Sequence, residues 1–324
     1  MTGSHRLYVG TIGEGLFRSL DGGETFFRTC DGMFVECHVR ALAVHPSNPQ
    51  IIFLGCEQGL FKTSDGANYW SRVGSPLDGR QVWCILLLPH QPEVIVVGTC
   101  PAGLYLSEDG GKSWRLPAVR MLQNCPRIMH TRVTCLLADP EEPGTLYAGV
   151  EIDGIYRSRD FGKTWESIGQ GLSSSDIHSL AFAAGGNGRW NMLAATNNDL
   201  NISTDQGETW RPLEIGKMMP WSYCRTLGQP IGRTEELLLG NGDAPPGSAG
   251  LIGRSTDGGR TWTPAKMPGR ANSTIWDFAV HPADPDLIYA ASVSGEIYRS
   301  IDAGKSWIKL VREFGEIRAL AWTP

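Results

Sequence analysis

No stretch of the 324-residue chain approaches the roughly 18 consecutive apolar residues that spanning a bilayer requires, and the opening "MTGSHRLYVG" has no apolar run of signal-peptide length. A soluble, cytoplasmic protein with no membrane attachment is the expectation. Charge is sparse as well: Asp, Glu, Lys and Arg make up 19% of the chain and the formal net charge is −5, so bulk electrostatics does not draw nucleic acid or anionic lipid to it. The eight cysteines (30, 37, 56, 84, 100, 125, 135 and 224) stop at residue 224 and include no C-x-x-C, which fits neither a disulfide framework nor a zinc clamp. They read as reduced, mostly buried small hydrophobes. A phosphate-cradling glycine loop and a nucleophile elbow are missing too.

What the chain has is repetition. The stretch "STDGGRTW" at Ser255 offers a hydroxyl, a carboxylate, two glycines and an arginine, and looks at first like a small site. It recurs as "SLDGGETF" at Ser19, "TSDGANYW" at Thr63, "SEDGGKSW" at Ser107, "SRDFGKTW" at Ser158, "STDQGETW" at Ser203 and "SIDAGKSW" at Ser300. Copying on that scale points to scaffold. The shared Asp falls at 21, 65, 109, 160, 205, 257 and 302, and the step from Asp302 through the chain ends to Asp21 is 43 residues, close to the internal steps of 44 to 52. A period near 45 is that of a four-stranded propeller blade. Upstream of each Asp lie two β-rich runs, such as "IIFLGC" and "LFKTS", and the motif itself bridges the third and fourth strands. Its Ser and Asp bond nearby backbone N–H groups, Gly supplies positive φ, and the aromatic residue fills the gap between blades.

The innermost strand also repeats: "VRALAVHP", "VWCILLLP", "VTCLLADP", "IHSLAFAA", "YCRTLGQP", "IWDFAVHP" and the final "IRALAWTP". The last copy has no strands after it, and the first three strands of the chain have no inner strand before them. Residues 316–324 therefore supply strand A, and residues 6–30 strands B, C and D, of one closing blade. The expected fold is all-β: a single seven-bladed β-propeller spanning 1–324, with no free sheet edge.

The pattern S-x-D-x-G-x-[TS]-[WF] resembles the Asp-box, or BNR, repeat of sialidases, sortilin-type receptors, xyloglucan-cleaving propellers and photosystem II assembly factors. That resemblance implies the architecture and leaves the chemistry open, since these families share a fold and differ in activity. A sialidase would carry six blades and an Arg-Ile-Pro element near its N-terminus. Here seven boxes are present, and the nearest equivalent, Arg127-Ile128-Met129, lies mid-chain.

Function is expected where the repeats disagree. Loops that lead into strand A and turns joining strands B and C share the rim opposite the boxes, around the mouth of the central channel. Two variable columns of equal parity emerge there: His38, Gln81, Arg132, Asp176, Ser222, Thr274, Glu316, and one step inward Arg40, Trp83, Thr134, His178, Cys224, Trp276, Arg318. A uniform column of Val39, Val82, Val133, Ile177, Tyr223, Ile275 and Ile317 between them reads as interblade packing. In the fifth copy the register also allows Tyr223 or Arg225 in place of Cys224.

Arg40, Arg318 and Arg132 converging on a pocket suit a carboxylate or phosphate. Trp83 and Trp276 offer flat walls, His38 and Tyr223 further polar contacts, and His178 a proton exchanger. Glu57 and Glu151 in the B-to-C turns are the candidate acid and base, and Asp243 is a third carboxyl. The bland reading pairs Arg40 and Arg318 with Glu316 and Asp277 as structural ion pairs. No cofactor is expected; a divalent cation held across blades by His38, His130 and His178 has no local spacing behind it. Two insertions, residues 115–130 and 241–250, are expected on the same rim. These features point to a propeller that binds a small anionic or sugar-like molecule at the channel mouth, with hydrolase or lyase chemistry as an extension. The alternative is a non-catalytic scaffold for a protein partner, supported by the "GKMMPW" loop at 216–221, expected to be exposed.

Overall fold

The computed structural model describes residues 5–74, 76–126, 128–186 and 188–324; Arg127 lies outside them. Seven antiparallel sheets form the seven blades. Blade 1 closes the ring, pairing Ile317–Thr323 with Arg6–Thr11, then Leu16–Ser19 and Phe27–Arg28. The inner strands of the rest are Ala41–Val44, Gln81–Leu88, Val133–Ala138, Ile177–Ala184, Tyr223–Gly228 and Ile275–Ala279 for blades 2 to 7. Each inner strand contacts the next around the ring, including Ile317–Thr323 against both Ala41–Val44 and Ile275–Ala279. The outer strand of blade 3 is reduced to a bridge between Leu106 and Arg115, after which the 115–130 insertion departs and forms a short hairpin, Asn124–Cys125 with Met129–His130.

The boxes are hairpin chemistry. In blade 4, Ser158 Oγ donates to Asp160 Oδ1 at 2.8 Å and accepts the Gly162 N–H at 2.8 Å. Asp160 accepts the N–H groups of Lys163 and Thr164 at 3.0 and 2.9 Å and the Thr164 hydroxyl at 2.7 Å. The Trp165 indole N–H then donates to the Gly162 carbonyl at 3.0 Å, and its ring is buried between blades. The position two after Asp has positive φ in every copy, from Gly23 at 100° to Ala67 at 69°, and is glycine in all but that one.

Interblade packing rests on a second pairing. Strand B carries glycine at 10, 55, 98, 149 and 240, where the next blade's inner strand presses close. A Cβ at Gly149 would lie 2.6 Å from Ile177 Cγ2, and one at Gly98 2.6 Å from Val133 Cβ. Val39, Val82, Val133, Ile177, Ile275 and Ile317 are all fully buried. In blade 6 that place is taken by Cys224, not Tyr223, so the fifth copy is displaced by one residue from the expected alignment. All eight cysteines are free.

One residue of the "GKMMPW" loop, Met219, departs from expectation as well. A 3-10 turn, Ile215–Lys217, brings the Met219 N–H to the Ile215 carbonyl at 2.8 Å, and Met219 is buried in the core between blades 5 and 6. The Met219 side chain packs against Gly253, while Gly216, Lys217 and Pro220 of the same loop are exposed and Met218 and Trp221 half-buried. Among the described residues no helix is long and apolar enough to cross a membrane.

Candidate functional site

A one-residue irregularity in the inner strands builds the channel. The ladder slips between Val82 and Cys84, Val133 and Cys135, Ile177 and Ser179, Cys224 and Thr226, and Ile275 and Asp277. Each slip leaves one residue unpaired: Trp83, Thr134, His178, Arg225 and Trp276. A bulge of this kind re-aims its side chain. Arg318 is skipped in the same way opposite Gly10 and Thr11, and Arg40 stands just ahead of its strand. These seven residues line a central cavity of about 300 Å³. Arg225, rather than Cys224, completes the inner ring.

Inside the ring the cationic and aromatic groups assemble in two sets. The guanidinium carbons of Arg40 and Arg132 lie 4.6 and 4.5 Å from the Trp83 ring centroid. Those of Arg225 and Arg318 lie 3.7 and 4.0 Å from Trp276. Two of the four arginines are neutralised locally. Arg318 is ion-paired with Glu316 and Arg132 with Glu151. Arg40 and Arg225 form no ion pair among the described residues, and the buried Nε of Arg40 has no hydrogen-bond partner. Burial pushes the Arg40 guanidinium down from its ordinary range, and burial with repulsion from Arg225 pushes Arg318 down to about 10. Both arginines stay protonated near neutrality, so the cavity is cationic.

His178 is nearly inaccessible, with its Nδ1 2.7 Å from the Cys224 carbonyl and its Nε2 3.4 Å from Asp176 Oδ1. Its ring sits 5.2 Å from that of Tyr223, whose hydroxyl is pushed up in pKa by burial, an effect opposed by Arg225. Burial likewise raises the Glu151 carboxyl, with Arg132 opposing. Asp277 lines the channel, and burial pushes its carboxyl up to about 7. It accepts the backbone N–H groups of Leu320 at 2.7 Å and Phe278 at 2.9 Å, and pairs with neither Arg40 nor Arg318.

His38, Gln81, Arg132 and Glu316 line a wider cavity of about 430 Å³ at the mouth, together with Met129 and His130 from the first insertion. The second insertion does not reach it: Asp243 accepts the Ser248 and Ala249 N–H groups at 2.9 and 3.1 Å, and the loop packs on Thr274. Glu57 turns away to accept the His38 N–H at 2.7 Å and lines neither cavity. His130 hydrogen-bonds Asn124 at 2.9 Å, so His38, His130 and His178 do not form a cluster. Sequence reasoning placed Asp176 in the outer column without assigning it a role, and offered Asp277 only as an ion-pair partner of the arginines, which it is not in the structure. Gly240 pairs with Thr226 as Gly149 pairs with Cys135, which leaves Arg225, in the place of Thr134, at the skipped position.

The BNR/Asp-box repeat model matches residues 156–167 and 202–212, the box hairpins of blades 4 and 5. This chain is an Asp-box propeller. It is 37% identical over 339 residues to a probable oligoxyloglucan-reducing end-specific xyloglucanase of Neosartorya fischeri, a match that covers 87% of this chain and 40% of that protein. The propeller spans less than half the length of the curated relatives it matches. An ancestral GH74 enzyme superposes with a TM-score of 0.60 at 16% identity, over 97% of this chain and 54% of its own. The propeller is similar in fold to YCF48 bound to D1 peptide, with a TM-score of 0.56 at 16% identity over 84% of this chain and 82% of that one.

Proposed function

We propose that the channel of this Asp-box propeller binds a small anionic molecule with a sugar-like body, most simply a sugar acid. The observation that carries this reading is that Arg40 and Arg225 face the cavity with no carboxylate partner among the described residues, each spread over a tryptophan. Desolvated guanidinium groups gain most from a carboxylate supplied from outside, which they bind by charge-assisted hydrogen bonds. The tryptophans hold those guanidiniums in place and present apolar edges to a ring-shaped body. A cavity of about 300 Å³ is at the small end of ligand sites, which favours a mono- or disaccharide unit. The carbohydrate substrates named for the xyloglucanase relative support the sugar-like part of the reading.

Hydrolase or lyase chemistry is the second reading, favoured by the burial-raised carboxyl of Glu151 beside Asp176 and His178. The scaffold reading keeps the fold similarity to YCF48 and the loop at 216–221, of which Met219 alone is withdrawn into the core. Calorimetric titration of the purified chain with glucuronate, galacturonate and glucose separates these outcomes. The acids are expected to bind at least about tenfold more tightly than the neutral sugar, with affinity falling as salt rises. No saturable binding of either acid at millimolar concentration would overturn the proposal.

A further inference from the structure

We infer that Glu151, Asp176 and His178 form a site for a divalent transition-metal ion in the channel wall between blades 4 and 5. One ligand atom from each of the three lies within 4.8 Å of the others. The imidazole is already oriented for the task. Its Nδ1 stands 2.7 Å from the Cys224 carbonyl, which can only accept, so Nδ1 holds the proton and neutral Nε2 presents its lone pair. A metal-bound histidine is commonly fixed by such a bond at its other nitrogen.

What Nε2 faces is a second acceptor. Asp176 Oδ1 is 3.4 Å away, buried, and without a hydrogen-bond donor of its own. A proton on Nε2 would serve that pair poorly, because charge-assisted N–H···O bonds close to about 2.7–2.9 Å. An ion bound at about 2.0–2.2 Å from each ligand atom would satisfy the nitrogen and both carboxylates after small side-chain shifts. Glu151 has two oxygens, one for the ion and one to keep its ion pair with Arg132. One imidazole with two carboxylates is a donor set for Mn²⁺, Fe²⁺, Co²⁺ or Zn²⁺ rather than for Ca²⁺. His178 lines the central cavity while Glu151 and Asp176 do not, so the ion would sit in the wall behind the channel lining.

The test uses Mn²⁺, which the eight thiols bind weakly. The chelator-treated full chain is titrated with Mn²⁺ by calorimetry and by the electron paramagnetic resonance signal of the free ion. One saturable site per chain is expected, together with a rise in Tm. Asp176→Asn and His178→Gln should each weaken it by about tenfold or more, whereas Glu14→Gln in the blade 1 turn should not. Asp176→Asn changes shape least, and its circular dichroism spectrum checks that it folds. Absence of saturable Mn²⁺ and Zn²⁺ binding up to millimolar concentration, or full affinity retained in Asp176→Asn, would refute the site. Sugar-acid binding is measured separately in metal-free buffer, so either proposal can fail without the other.

Discussion

Arg225 lies over Trp276, its guanidinium carbon 3.7 Å from the ring centroid, although the two residues belong to different blades. Arg318 stacks on the same indole from the blade beyond. The indole spreads two like charges that would otherwise repel at short range, each contact contributing about 0.5–2 kcal/mol. The central cavity can therefore hold Arg40, Arg225 and Arg318 while only Arg318 has a carboxylate partner.

That division of labour predicts two classes of arginine variant. Arg40→Ala and Arg225→Ala remove cations without stranding an anion. Each should weaken sugar-acid binding by about 1.5–3 kcal/mol, roughly tenfold to a hundredfold, and leave Tm unchanged or slightly raised. Titration calorimetry alongside thermal unfolding reads both quantities. A large fall in Tm with unchanged affinity would assign these residues to the scaffold.

Arg132→Ala should behave in the opposite way. It leaves the Glu151 carboxylate half-buried and unpaired, so a loss of about 1–3 kcal/mol of stability at pH 7 is expected from urea unfolding. Protonating Glu151 relieves the defect, so the variant should regain stability relative to wild type as the pH falls toward 5.

Asp277 makes the stability of the whole chain depend on pH. Its carboxyl titrates near 7 in the fold and near 4 in the unfolded chain, so between those values the native state holds the extra proton. The contribution is complete below about pH 4 and is lost as pH rises through 7. Unfolding midpoints measured from pH 5 to 8 should fall in wild type, and the slope should flatten in Asp277→Ala. A slope unchanged by that substitution would place the titrating group elsewhere.

The box hairpins should tolerate little. A Cβ at Gly207, where φ is 86°, would stand 2.9 Å from Ile168 Cδ1, so Gly207→Ala is expected to cost about 1–3 kcal/mol. Trp262→Ala empties an interblade slot and should cost about 3–5 kcal/mol. Neither should change affinity at the channel in the protein that remains folded.

Removing residues 316–324 should open the ring. The strand carries buried Ile317, Leu320 and Trp322, and its loss exposes the edge of Arg6–Thr11. A fall in Tm of at least about 10 °C, or aggregation on sizing chromatography, is expected. A truncated chain that unfolds at the wild-type temperature would contradict closure by this strand.

The architecture was readable from residues alone because its chemistry is local. Each box closes on itself within eight positions: Ser158, Asp160, Gly162, Thr164 and Trp165 find their hydrogen-bond partners inside the motif. Blade count, period and the closing strand follow from counting such self-contained units. The channel is another matter, because its lining is set by a single-residue bulge, and a slip of one residue exchanges the two faces of a strand. Periodicity leaves Tyr223, Cys224 and Arg225 equivalent candidates. Packing of Cys224 between blades 5 and 6 sends Arg225 inward to Trp276. The pairings that define the site likewise join residues far apart in sequence: His178 with the Cys224 carbonyl, Arg225 with Trp276, Glu151 with Asp176. Short-range pattern determines which segments become strands, and closure of the ring determines which of their side chains meet.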